Sequence, residues 1–386
     1  MLTAFFFLLA IFTLFYVLLV LSFIRGWTNL NTYRPVPGFD STHFFTIVIA
    51  ARNEEENIGR TLRHLLVQDY EAGPWEIIVV NDHSEDATAA VVKDLIAKKK
   101  DSAPELRLLQ MQDDTAPQPA VAFKKRALEA GIAAAKGDWI ITTDADTDRG
   151  SKWLSVLSAF IREKEPVMVS APVAYHKEAN LFERMQSLEF LSLIGIGAAS
   201  LRNGTPNMCN GANLAFSLSA FRSVGGYRDN SHLASGDDEF LMHKLFNAFP
   251  GKVLFLKNRD ATVFTRAAKS LREFVMQRKR WVSKSTFYSN RSITVILAAA
   301  YTYSLLLLVA GILCFFYPGW WPVFILIFFL KILSESAFLF LVTSFFNRKT
   351  LLILFLPAAI LHILYVLFIG IYGNIGGYTW KGRKVK

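Results

Sequence analysis

Gly137-Asp138-Trp139-Ile140-Ile141-Thr142-Thr143-Asp144-Ala145-Asp146 is the stretch whose reading decides the fold. Its apolar centre predicts a buried strand over Trp139 to Thr143. The strand ends in two carboxylates spaced i and i+2, with polar Thr147 and Asp148 behind them. Residues two apart on an extended chain face the same side. Two hard oxygen donors on one face at a strand's carboxyl end make a seat for Mg²⁺ or Mn²⁺, and such a metal can carry a diphosphate. An acidic turn without a metal is the commoner use of this pattern, so the surrounding sequence has to decide.

Working outward, Phe44-Phe45-Thr46-Ile47-Val48-Ile49-Ala50 is a short continuous apolar run, as expected of a strand covered on both faces. It breaks at Arg52-Asn53-Glu54-Glu55-Glu56-Asn57, where Asn53 with Glu56 three residues on reads as a capping box for a helix bearing Ile58, Leu62, Leu65 and Leu66. A second buried strand, Glu76 to Val80, closes on Asn81-Asp82-His83-Ser84, and residues 87–97 look helical. Leu106 to Leu109 reads as a third strand, Lys124 to Ala135 as a helix, and the opening stretch as a fourth strand. Strands alternating with helices specify an α/β fold with a mostly parallel sheet covered on both faces. Ligands sit beyond the carboxyl ends of such strands, which brings Ala51, Arg52, Asp82, Asp144 and Asp146 to one edge.

Between Gly150 and Lys257 the pattern is mixed. Glu183 to Leu201 predicts an apolar helix resting on a membrane surface. Asn203 to Asn213, which contains Cys209 and Asn210, must be a loop, and Leu214-Ala215-Phe216 resumes a short strand. Ser235-Gly236-Asp237-Asp238-Glu239 leads an acidic cluster into a helix, where aspartates also serve as ordinary dipole partners.

The 386 residues are 52% hydrophobic yet carry a formal charge of +10, a combination that suggests membrane spans joined to a charged soluble part. Residues 4–24 carry no charge and exceed the roughly 20 residues needed to cross a bilayer. No basic residue precedes them and no small-x-small site follows, so they read as a retained anchor. Arg25 and Arg34 place the following segment in the cytoplasm. Two cysteines exclude a disulfide framework and fit a reducing compartment. The basic cluster between Lys269 and Lys284 belongs to an amphipathic stretch, Ser270 to Tyr288, suited to a membrane interface. Its partners are anionic headgroups or a phosphorylated substrate rather than nucleic acid. Three apolar runs follow, Ile293 to Phe316, Val323 to Phe345 with Lys331 and Glu335 as a neutralising pair, and Leu351 to Tyr372. Three full crossings would put the basic tail Lys381 to Lys386 outside, whereas its charge prefers the inside, so one run is a candidate for a bent or re-entrant path. The chain thus divides into an anchor (1–25), an α/β domain (40–265), an interface helix (266–290), a membrane region (291–376) and a basic tail (377–386).

Taken in order, Ala51-Arg52-Asn53-Glu54, Asn81-Asp82-His83-Ser84, Asp144-Ala145-Asp146, Gly236-Asp237-Asp238 and Gln277-Arg278-Lys279-Arg280-Trp281 resemble the membrane-embedded family 2 glycosyltransferases, the group of ceramide glucosyltransferase and poly-N-acetylglucosamine synthase. The resemblance covers residues 44 to 285 and implies a GT-A catalytic domain, a nucleotide sugar, in particular a UDP-sugar, as donor, and an integral inner-membrane protein with its catalytic domain in the cytoplasm. It implies that Asp82 contacts the base, with Ala51, Arg52 and Glu54 in the same donor site, and that Asp144 lies at the ribose or metal. Asp146 would be a metal ligand for Mg²⁺ or Mn²⁺. Asp238, with Asp237 beside it, would be the catalytic base. Gln277 and Arg280 would lie near the diphosphate, and Trp281, Cys209 and Asn210 near the acceptor. Lys124 matches a lysine of a Gly-Lys-x-x-Ala-Leu-Asn pattern, from which Phe123 and Glu129 depart, as Asn81-Asp82-His83-Ser84 departs from Asp-Asp-Gly-Ser. His83 alone is more often a loop residue making one hydrogen bond.

The chemistry agrees. A departing diphosphate gains negative charge that a divalent cation and an arginine offset, and a carboxylate can take the proton of an acceptor hydroxyl. One base without a protein nucleophile predicts single displacement with inversion. Neither a Ser-His-Asp set nor a Gly-x-x-x-x-Gly-Lys-Ser/Thr loop can be placed. The acceptor is either a lipid or lipid-linked molecule, favoured by the small number of spans, or a growing polysaccharide. A catalytically inactive scaffold of a glycan-export complex and a metal-dependent nucleotidyltransferase are the readings of another class.

Overall fold

The computed structural model describes residues 1–35, 43–111, 122–228, 236–283, 291–373, 375–381 and 383–385. After an N-terminal helix, α1 (Leu2–Thr28), strands and helices alternate: β1 (Phe45–Ala51), α2 (Ile58–Leu66), β2 (Trp75–Asn81), α3 (Thr88–Lys98), β3 (Glu105–Gln110), α4 (Phe123–Ala133) and β4 (Trp139–Thr142). The four strands lie parallel in the order β3-β2-β1-β4. The sheet continues through β8 (Leu214–Ser217), antiparallel to β4, then β6 (Met168–Ser170) and β9 (Val253–Phe255). A small second sheet joins β5 (Asp148–Arg149), β10 (Val263–Thr265) and β7 (Val173–Tyr175).

Alternation along each strand divides the core in two. Val48, Ile78, Val80 and Ile140 face one side, under α4, α6 (Leu181–Arg202) and α8 (Asp237–Ala248). Ile47, Ile49, Val79 and Ile141 face the other, under α2, α3 and α5 (Trp153–Lys164). Each such buried Val or Ile contributes about 1.5–3 kcal/mol, so β1, buried at six of its seven positions, anchors everything attached to its ends. Gly131 lets α4 sit close, since a Cβ there would lie 2.5 Å from Val48 Cγ1.

Two local expectations change, and a third is seen in part. Asn53 does not cap α2, which begins at Ile58. It takes a left-handed φ of 51°, which asparagine tolerates, and its side-chain oxygen accepts from the Glu85 amide across the sheet edge. Helix α6 is no mere surface helix. It packs against α1 and α11 (Trp321–Phe345), where Gly195 meets Val342 and Phe338, so one hydrophobic cluster runs from the sheet into the apolar helices. The amphipathic stretch forms α9 (Leu271–Val282), started by the Ser270 hydroxyl accepting from Glu273 N. Residues 284–288 of that stretch, Ser235 and the linker at Pro37 lie outside the described residues.

Four helical stretches, residues 2–28, 293–316, 318–345 and 349–372, are long and apolar enough to cross a membrane. Lys331 and Glu335 pair at 2.7 Å within α11, and the Tyr16 hydroxyl of α1 also donates to Glu335. The last helix, α12 (Phe355–Tyr372), follows a turn packed on α6 and ends against α9, where Lys279 Nζ donates to the Ile375 carbonyl at 2.6 Å. Both its ends therefore meet helices attached to the sheet. A hairpin of β11 (Tyr378–Trp380) and β12 (Arg383–Val385) then reaches the carboxyl ends of β1 and β2.

Candidate active site

The parallel strands deliver their terminal residues to one edge. The Asp82 amide donates to the Ala51 carbonyl at 2.8 Å, locking the end of β2 to that of β1. Arg52 is buried and braces the next turn: Nη1 donates to the carbonyls of Asp82 (3.0 Å) and His83 (2.6 Å), and Nη2 pairs with Glu85. His83 has φ 54°, and its Nδ1 lies 3.0 Å from Asp82 Oδ1.

The acidic turn after β4 is held from both sides. The hydroxyls of Thr142 and Thr143 donate to the carbonyls of Gly211 and Ala212, and Arg149 donates to the hydroxyls of Thr143 and Thr147 while its guanidinium stands 4.6 Å from the Trp153 ring. Arg149 carries no periodic or spacing signal in the sequence and was not anticipated. Lys124, at the start of α4, pairs with Asp144 at 2.7 Å. Burial would raise the Asp144 carboxyl, but Lys124, Arg280 and Arg149 outweigh it and hold the group below the usual carboxylate range. Burial, then the negative charges of Asp144 and Glu54, push the Asp146 carboxyl up to about 6. Two carboxylates two residues apart thus differ because Asp144 is ion-paired with Lys124, whereas the pull of Lys381 on Asp146 does not offset burial, Asp144 and Glu54.

A cleft of about 270 Å³ opens over these groups, lined by Ala51, Arg52, Glu54, Asp82, Lys124, Asp144, Asp146 and Arg280 among the anticipated residues, and also by Asn57 and Lys381. Asp237, Asp238, Cys209, Asn210, Gln277 and Trp281 do not line it. Asp238 stands at the start of α8, where its Oδ2 accepts from the Gly211 amide at 2.9 Å. Asp237 beside it is buried; burial and Asp238 raise its carboxyl against the pull of Lys124. Asn210 folds its side chain onto the Ala212 amide, and Cys209 packs on the core of the α6 face. Gln277 Oε1 accepts from Arg278 at 3.0 Å and from the Tyr175 hydroxyl at 3.4 Å. Trp281 packs near Phe190, with the Arg278 guanidinium 4.1 Å from its ring. Of α9, Arg280 alone among the anticipated residues reaches the cleft.

The described residues contain no cluster of three metal-ligating side chains. Asp144 and Asp146 nonetheless fit Mg²⁺ or Mn²⁺, which bind through one or two carboxylates with phosphate oxygens and water completing the shell. The Asp146 carboxyl accepts from the Thr265 hydroxyl at 3.3 Å and is raised by burial and by the neighbouring Asp144 and Glu54, a local repulsion that a cation held between Asp144 and Asp146 would relieve.

A mostly parallel sheet carrying an acidic turn at the end of its fourth strand, with a second acidic pair opening a later helix, is the arrangement of GT-A enzymes. Two family profiles match, glycosyl transferase family 2 over residues 46–225 and glycosyl transferase family group 2 over residues 139–371. The chain belongs to the family 2 glycosyltransferases. It is 29% identical over 195 residues to a poly-beta-1,6-N-acetyl-D-glucosamine synthase of Staphylococcus aureus, covering 50% of this chain and 44% of that one. Similarity to a beta-monoglucosyldiacylglycerol synthase of Trichormus variabilis is 28% over 205 residues, 53% and 42% of the two chains. The matches thus span less than half the length of these relatives. A mannosyltransferase of Pyrobaculum calidifontis, solved in complex with GDP-Man and Mn²⁺, shares the fold with a TM-score of 0.58 at 18% identity, over 95% of this chain and 99% of that one.

Proposed function

We propose that this protein transfers a sugar from a nucleotide diphosphate sugar, in particular a UDP-sugar, to a hydroxyl of a lipid or lipid-linked acceptor at the membrane surface, with inversion at the anomeric carbon. The observation that carries the reading is the gathering of Asp82, the Asp144/Asp146 turn and Arg280, from three separate parts of the chain, around one cleft whose wall α9 also touches a long apolar helix. On this reading Asp82 receives the base, while Lys124 and Arg280 face the diphosphate and its developing charge. A divalent cation held by Asp144 and Asp146 would add further positive charge there. Asp238 takes the acceptor proton as the new C–O bond forms and the bond to the departing phosphate oxygen breaks, its electrons leaving with the diphosphate. The Gly211 amide orients that carboxylate. Residues 40–265 act as the catalytic domain on the cytoplasmic side, and the apolar helices make the chain a multi-pass inner-membrane protein.

The similarity to a glucosyldiacylglycerol synthase and the joined core of sheet and apolar helices support a lipid acceptor. The similarity to a polysaccharide synthase supports chain extension as the second reading. Incubating detergent-purified protein with radiolabelled nucleotide sugars, Mn²⁺ and a membrane lipid extract tests both. Label in the lipid phase supports the first, label in polymer the second, and label in neither overturns transfer in favour of a scaffold.

A further inference from the structure

The C-terminal hairpin brings two cations onto carboxylates of the cleft, Lys381 onto Glu54 and Arg383 onto Asp82. Lys381 Nζ pairs with Glu54 at 2.8 Å, and its carbonyl accepts from Arg52 Nε at 3.2 Å. Arg383 goes deeper. Its Nη1 donates to Asp82 Oδ2 at 2.7 Å, and its guanidinium carbon stands 3.8 Å from the centroid of the Phe123 ring. Asp82 is buried and Phe123 half-buried, so the guanidinium fills a slot with an aromatic side and a carboxylate.

A guanidinium is flat and delocalised, donates N–H bonds in its own plane and stacks on aromatic faces. A pyrimidine such as uracil has the same features: a flat π face and an in-plane N–H. Bases in protein sites are held by aromatic stacking together with hydrogen bonds to their edges. We infer that Phe123 and Asp82 form the nucleobase subsite of the donor cleft, with Phe123 as its stacking platform, and that Arg383 is an internal stand-in which the base of a uridine nucleotide displaces. The inference rests on the nucleotide-sugar reading and adds to it a residue and a competition. Phe123 immediately precedes Lys124, whose ammonium holds Asp144. The first two residues of α4 therefore serve the two ends of one ligand, Phe123 the base and Lys124 the diphosphate side. Because only molecules with the slot vacated accept the base, the apparent dissociation constant is the intrinsic one divided by the vacant fraction.

Calorimetric titration of the full-length chain in detergent with UDP and Mn²⁺ tests this. Arg383→Ala removes the competitor, so UDP should bind several-fold more tightly than to the wild type. Adding Phe123→Ala to Arg383→Ala should weaken UDP roughly five-fold or more, the loss expected for one base–aromatic stack, and Phe123→Tyr in the same background should restore it. The Tyr variant keeps the ring and so separates stacking from misfolding. Unchanged or weaker binding by Arg383→Ala overturns the stand-in, and equal affinity of Arg383→Ala with and without Phe123 overturns the platform, both leaving the nucleotide-sugar reading intact. If neither wild type nor Arg383→Ala binds UDP, GDP or ADP, the nucleotide-sugar reading itself fails and this inference falls with it.

Discussion

The two halves of the seven-stranded sheet position chemical groups in different ways. In the parallel half, β1 and β2 are seven residues long and almost wholly buried, so Ala51 and Asp82 are fixed by strand register. In the other half β6 and β9 have three residues each, and the groups come from a loop (Cys209, Asn210) and two helices, Asp238 at the first turn of α8 and Arg280 within α9. Register holds a group against a constant backbone, whereas a helix start moves with whatever the helix packs on, here a face continuous with the apolar helices. On the proposed function this is a division of labour: the base and the metal-binding turn belong to the rigid half, while the acceptor meets the half that answers to the membrane, which also lends Arg280 to the diphosphate.

The largest expected effect breaks the two halves apart. Asp238→Asn should lower transfer roughly 10²–10⁴-fold, the worth of a general base, while UDP affinity stays at the wild-type value. Single-turnover kinetics beside titration calorimetry checks it. Turnover at the wild-type rate would mean that the second half carries no base. Asp146→Ala should do the reverse and reduce Mn²⁺-dependent UDP affinity by at least the roughly ten- to hundred-fold that loss of an outer partner of a metal ligand costs. Chelation of the wild type should reproduce the loss; if it leaves affinity and activity unchanged, the acidic turn holds no metal.

The same contrast explains what could be read from the sequence. Long apolar runs announce β1, β2 and β4 and their order, and with them the edge that gathers Ala51, Asp82, Asp144 and Asp146. The short strands of the other half carry too few residues for periodicity to show. Gln-x-x-Arg-Trp locates α9 but not its rotation, and in the structure Arg280 turns to the cleft while Trp281 turns to Phe190. Asn53 misleads because its capping group is used across the sheet edge. The tail was hardest: Lys381 and Arg383 reach the cleft only because α12 returns to α9, a path that charge and hydropathy leave open.

Within the rigid half, Glu76 is fully buried, accepting from the Thr46 hydroxyl (2.8 Å), the Lys136 amide (2.7 Å) and Arg107 (2.8 Å). It ties β1, β2 and β3 together at the end opposite the cleft. Glu76→Gln would turn an amide donor toward donors and cost about 1–3 kcal/mol, the penalty of an unsatisfied buried polar group. Thermal melts should show a lower Tm with UDP affinity at the remaining folded fraction unaltered. An unchanged Tm would mean that strand register does not depend on this carboxylate.

The smallest effect concerns the join between the second half and the apolar helices. Arg348, just beyond α11, pairs with Glu178 at 2.6 Å and donates to the Tyr175 carbonyl of β7 at 3.2 Å. Burial works to raise the Glu178 carboxyl, but the Ser187 hydroxyl and Arg348 outweigh it, and the group lies below its ordinary value of 4.5. A carboxyl depressed in the folded state binds fewer protons there than in the unfolded chain, so folding stability rises with pH across the interval between the two values. The contribution is complete above the unfolded value, near pH 4.5, and fades as pH falls through the depressed folded value. Melting the wild type and Glu178→Gln side by side from pH 7 to pH 3 isolates it: the wild type should lose more Tm than the variant, and only at the acid end. Parallel curves would show that Arg348 does not fasten the long apolar helices to β7, and the second half would then owe its placement to the apolar contacts of α6 alone.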